Sequence, residues 1–237
     1  MARSLEPQDS DLIGFRLRGR EVTRLESFSD AVFGFALTLL VVSLDVPKSF
    51  EDLVNTMRGF PAFAVCFLLL ALIWNAHYKF CRRYGLDDRT ARFLTCVLLF
   101  LVLFYVYPLK FLFNLSITGI LFGAGPPISM TGGQLSLLFV IYGLGFAAVY
   151  VAMSLLYLHA WRLRDELELS VLERFDTRHL IRRLLTVASV GLIAAGLAMI
   201  PAVRNWSNFV YLLLFVILRV SSVIHRKRRQ HYVKNER

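Results

Sequence analysis

The sequence predicts an all-α membrane protein with six transmembrane helices per chain, and three observations carry that reading. Hydrophobic residues make up 57% of the 237 positions and charged residues only 19%, more apolar surface than a soluble domain of this length can hide. Six apolar stretches approach the roughly 20 residues needed to cross about 30 Å of hydrocarbon. Basic residues recur on alternate connections between them, which orients the chain with both termini in the cytoplasm.

Residues 1–23 read as a cytoplasmic N-terminal segment. Their start, Met1-Ala-Arg-Ser-Leu-Glu-Pro-Gln-Asp, lacks the apolar core and small-residue cleavage site of a signal peptide, so the first helix is expected to be retained. Thr23 followed by Glu26 is a capping box that starts a helix near Arg24. The spans are expected at Phe28–Val46, Phe60–Phe80, Phe93–Ile117, Leu135–Leu158, Leu184–Ala202 and Phe209–Ile224. The third is long enough to tilt or to break at Pro108. Pro47 to Arg58 reads as a short, partly polar connection, and Gly123 to Gly133 as an uncharged external loop rich in turn formers. Trp161 to Arg183 carries apolar positions among many charges and is expected to form an interfacial or cytoplasmic helix. The six-helix domain then occupies residues 24–224, and 225–237 form a basic cytoplasmic tail.

The net charge of +10 follows from this topology. Arginines and lysines cluster before the first span, between the second and third, between the fourth and fifth, and in the tail, with few on the alternate connections. A nucleic-acid partner is not needed to explain it. Cys66, Cys81 and Cys96 match no metal spacing and are expected as small hydrophobes.

Enzyme signatures are absent from the sequence: no His-Glu-x-x-His, no Gly-x-Ser-x-Gly, no phosphate-binding loop, and no cofactor or metal is implied. His159 and His179 are expected to be solvated. Lys110 and Arg219 are expected to snorkel. Asp30 is the outstanding residue, a carboxylate in the first turns of a span, where it costs several kcal/mol unless paired or facing water. Trp74, Asn75 and His77 on the second span would supply donors at its depth. That cluster reads as a polar clasp that fixes packing, or, for Asp30 and His77, as a proton-titrating or ion-binding pair. On the first helix, Ala31, Phe35, Thr38, Val42 and Asp45 share one stripe. The stripe reads as packing, or as the lining of a conduit narrowed by apolar side chains.

Arg24-x-x-x-Phe28-Ser29-Asp30, followed by Ala-Val-Phe-Gly-Phe-Ala-Leu-Thr-Leu-Leu-Val, resembles the first-helix signature of the transmembrane protein 175 family, the endolysosomal potassium channel and its prokaryotic relatives. Trp74-Asn-Ala-His77 and six spans over nearly the full chain extend the likeness. The resemblance implies a passive potassium channel, a homotetramer of single-repeat chains in a prokaryotic plasma membrane, with the first helix of each chain lining the pore and no carbonyl selectivity filter. It implies a constriction at Phe35, with a potassium ion passing transiently near Thr38. Phe35 stands where the family usually has Ile or Leu, so the constriction falls at Phe35 or shifts to Val42. Arg24, Ser29, Asp30, Trp74, Asn75 and His77 correspond to a polar network at the inner end of the first helix. Two other functions compete: a proton channel or proton-coupled transporter built on Asp30 and His77, and a non-conducting scaffold whose basic segments bind lipid or protein.

Overall fold

The computed structural model describes residues 14–42, 48–122, 131–202 and 210–235, and these form seven helices joined by short connections. They are α1 (Arg24–Val42), α2 (Phe50–Arg58), α3 (Phe60–Tyr84), α4 (Arg89–Phe122), α5 (Gly132–Arg162), α6 (Val171–Ala198) and α7 (Val210–Asn235). Among the described residues, α3, α4 from Arg89 to Val106, α5 and α6 are long and apolar enough to cross a membrane. Asp45 and the rest of the first predicted span beyond Val42 lie outside the described residues, as does most of the external loop at 123–130.

Three expectations need correction. The connection before α3 contains a helix, α2, because Ser49 caps it by accepting from the Asp52 N–H at 3.1 Å. Its apolar residues Phe50, Leu53, Val54 and Met57 recur at helical spacing, which a reading for composition alone passes over. Residues 161–183 are not one helix. They are the end of α5, a turn, and the first half of α6, divided where Ser170 and Glu173 form a reciprocal capping box. His159 and His179 are only half-buried rather than solvated: His159 pairs with Asp88 at 3.0 Å, and the His179 ring stacks on His225 with centroids 3.8 Å apart. In addition, Cys96 is exposed on the chain, whereas Cys66 is buried. α4 runs through Pro108 without a break, and α7 continues past Ile224 into the basic tail.

Packing is arranged around two contacts. α5 and α6 approach until their backbones nearly touch at Gly143 and Gly191. A Cβ on Gly143 would sit 2.6 Å from the Gly191 carbonyl oxygen, and one on Gly191 would sit 2.8 Å from that of Gly143. Where the N-terminal segment meets α3 and α5, an aromatic cluster joins Phe15, Phe80, Tyr84 and Tyr157, with ring centroids 5.4–5.7 Å apart. Phe15, completely buried, comes from the N-terminal segment. The described part of that segment, residues 14–23, is therefore a strap built into the bundle. Its backbone meets α3 through Gly19, whose N–H donates to the Arg82 carbonyl at 3.0 Å.

Candidate functional site

α1 has two unlike sides. Leu25, Glu26, Ser29, Phe33, Ala36 and Leu40 are buried, and the helix packs on α3 and α4. The opposite side presents Asp30, Ala31, Gly34, Phe35, Thr38 and Leu39 outside the chain. Phe35 is 69% exposed, like Phe93, Phe100 and Phe104 of α4 at 64–68%, so what distinguishes this side of α1 is the polar Asp30 and Thr38 among its apolar residues. The Thr38 hydroxyl donates to the Phe35 carbonyl at 2.8 Å, so its proton is spent on its own helix and its lone pairs remain available as acceptors. Ala31, Phe35 and Thr38 thus lie on one exposed strip. Val42 ends α1, with its side chain outside the described residues.

At the inner end of α1, Asp30 accepts a hydrogen bond from the Trp74 indole N–H of α3 at 2.7 Å. Trp74 stacks on Tyr78, centroids 5.8 Å apart, and the Arg82 guanidinium lies 5.4 Å from the Tyr78 ring centroid. Arg82 also pairs with Glu26 at 3.3 Å and donates to the Gly19 carbonyl at 2.9 Å. A continuous chain of contacts therefore runs from the exposed face of α1 through α3 to the strap.

Other members of the expected network are placed differently. Ser29 is buried and donates to the Leu25 carbonyl within its own helix at 2.7 Å. His77 is buried, with its ring 3.4 Å from the Thr95 hydroxyl of α4. Among the described residues Arg24 forms no ion pair, and Asn75 enters none of these bonds. Sequence reasoning missed the Glu26–Arg82 pair. The capping box accounts for Glu26 locally, and the signal that finds the pair is two opposite charges at the same level of adjacent spans. The Glu26 N–H does donate to the Thr23 hydroxyl at 3.1 Å. Among the described residues, no group of three His, Cys, Asp or Glu side chains could hold a metal.

The strap is clamped to the first turn of α6. Arg16 and Arg18 both reach Glu173, at 3.1 and 2.9 Å, and the Arg16 guanidinium also donates to the Glu168 carbonyl. Glu173 stands about 16 Å ahead of the apolar run that begins at Leu184, at 1.5 Å per residue. Burial raises the Glu173 carboxyl, but the hydrogen bonds from Arg18 and Arg16 outweigh it and hold the group at about 2.

Comparison with known proteins bears on this arrangement. Residues 24–106, from α1 into α4, match the family described as endosomal/lysosomal potassium channel TMEM175. A curated potassium channel of Marivirga tractuosa is 39% identical over 93% of this chain and 94% of its own length. A potassium channel of Streptomyces collinus is 31% identical over 37% of this chain and 46% of its own. Among solved structures, a variant of the potassium channel MtTMEM175, bound to a nanobody–MBP fusion, superposes with a TM-score of 0.80 at 39% identity. The match covers 90% of this chain and 97% of that one. A channel homologue from Chamaesiphon minutus, 22% identical, shares the fold with a TM-score of 0.58 over 85% of this chain and 96% of its own.

Proposed function

This chain belongs to the TMEM175 potassium-channel family, a family of integral membrane channels and not of enzymes, and we propose that it conducts potassium passively through a pore lined by α1. The carrying observation is the exposed strip of Ala31, Phe35 and Thr38 on a helix whose other side is packed. Asp30 stands at one end of that strip, a carboxylate that lipid disfavours, and a symmetric ring of copies of the same helix would turn it and Thr38 toward a water-filled axis.

In this reading four chains surround a common axis. Six helices of each, α1 and α3 to α7, cross the membrane with both termini in the cytoplasm, 24–224 forming the channel domain between the N-terminal segment and the basic tail. Phe35, or Val42 about two turns beyond it, narrows the path, and Asp45 lies toward its outer end. An ion at the apolar ring sheds part of its hydration. Thr38 oxygens replace some of it, and potassium loses water at lower cost than sodium. No carbonyl filter takes part. The Asp30–Trp74 bond holds the inner end of α1 against α3, so the strip keeps its rotation about the helix axis. Because His77 bonds toward Thr95 and not toward Asp30, the geometry favours this clasp over a proton relay between the two.

The test is flux from potassium-loaded liposomes containing the purified protein, followed with a proton-sensitive dye. Flux that requires an added proton carrier and slows when sodium replaces potassium is the expected result. Flux without the carrier would make protons the permeant ion instead.

A further inference from the structure

Two guanidiniums at the cytoplasmic end of α6 have no carboxylate partner among the described residues. Arg178 lies over the Trp161 ring of α5, 4.7 Å from its centroid, and Arg182 follows one turn later on the same exposed side. Nearby acids are engaged elsewhere. Asp165 pairs with Arg174 at 2.7 Å and Arg164 at 3.5 Å, and Asp176 pairs with His225 at 3.0 Å and Arg229 at 3.1 Å. Glu173 is held by the strap.

Beyond Arg182 the same side of α6 turns apolar. Leu185, Leu192 and Ile193 are each about half exposed, at 48%, 51% and 54%. The two hydroxyls on that side are spent within the helix: Thr186 donates to the Arg182 carbonyl at 2.9 Å and Ser189 to the Thr186 carbonyl at 2.8 Å. A hydroxyl bonded to its own helix needs no water, so this strip can lie in hydrocarbon. Arg182 and Ile193 are about 16 Å apart along the axis at 1.5 Å per residue, close to the hydrocarbon depth of one leaflet.

We infer that this strip is a binding site for an anionic phospholipid of the cytoplasmic leaflet. Arg178 and Arg182 hold the phosphodiester, a group that guanidinium donors match in shape and charge. Trp161 sits at the headgroup level, where indoles are favoured. The acyl chains follow Leu185, Leu192 and Ile193. An anion carrying two long chains satisfies both ends of the strip, whereas a purely apolar partner would leave the cations bare. The assignment is independent of conduction and stands even if no ion crosses.

The test is native mass spectrometry of the full chain in neutral detergent, titrated with phosphatidylglycerol or phosphatidylcholine. Phosphatidylglycerol is expected to be retained preferentially. R178Q/R182Q weakens its retention about 25-fold, at about fivefold per cation, while Arg89→Gln, on the cytoplasmic end of α4, leaves it unchanged. Equal retention of the two lipids, or undiminished retention by R178Q/R182Q, would overturn the assignment. Displacement by an equal concentration of soluble glycerol phosphate would also overturn it, since that result describes an anion site with no use for chains. If the double variant does not elute as the wild type does, Arg182→Gln alone decides, with a fivefold loss expected and no loss refuting.

Discussion

Phe35 and Trp74 divide the work at the residue scale, one facing out of the fold and the other holding the helix that carries it. If Phe35 narrows the path, Phe35→Ala opens it: potassium flux in liposomes should rise severalfold and the preference over sodium should shrink. Unchanged flux and preference would place the constriction elsewhere, with Val42 the next candidate. Trp74→Phe keeps the ring stacked on Tyr78 but removes the N–H that Asp30 accepts. A hydrogen bond to a charged group contributes about 1.5–3 kcal/mol, so the variant should melt several degrees lower in detergent. A double-mutant cycle with Asp30→Asn tests whether that loss belongs to the bond; additive effects would show that the two side chains are not coupled.

At the scale of elements, two contacts control how the helices are held. Gly143 and Gly191 let α5 and α6 meet backbone to backbone. Gly143→Ala forces them apart and should destabilise the protein by about 1–3 kcal/mol. Gly196→Ala, on α6 with nothing within 4 Å of the added carbon, is the matched control and should not. The second contact is the clamp of the strap on Glu173. Its carboxyl sits at about 2, below its ordinary value of 4.5, because Arg18 and Arg16 outweigh the effect of burial. A depressed carboxylate stabilises the docked strap above the ordinary value and loses that contribution as pH falls through the shifted one. Hydrogen exchange of residues 14–20, corrected for the intrinsic rate, should therefore stay slow from pH 8 to about 5 and accelerate only below about 4. Glu173→Gln should expose the strap already at neutral pH, seen as rapid tryptic cleavage after Arg20. A strap equally protected in that variant would mean that Phe15 alone holds it.

For the whole molecule, the proposed function rests on the side of α1 that carries Asp30 and Thr38 outside the chain. The exposed strip of α1 predicts an assembly, and native mass spectrometry in detergent should return a tetramer. A stable monomer that still conducts would remove α1 from the pore lining. The same scale shows how far the fold could be read beforehand. The helix α3, the apolar part of α5 and the second half of α6 were legible because each is a long apolar run. The first half of α6 merges with the end of α5 until the cap of Ser170 is seen. α2 was not legible, because nine residues with acidic ends and apolar spacing resemble a polar connection until the cap of Ser49 is seen. Depth and donor chemistry narrowed the partner of Asp30 to Trp74, Asn75 or His77, and the structure selects Trp74. The Glu26–Arg82 pair and the strap were not legible, because each joins residues far apart in the chain whose charges already had a local explanation.

The amino-acid sequence by itself determined the helical membrane class and membership of a potassium-channel family, because hydropathy and a short motif are local properties of the chain. Tertiary structure decided which side of α1 is left open, which partner Asp30 takes, and that the N-terminal segment is part of the bundle. Those outcomes depend on how neighbouring helices are rotated and how closely they approach. Gly143 against Gly191, and Arg16 and Arg18 against Glu173, set that geometry through contacts between residues distant in sequence.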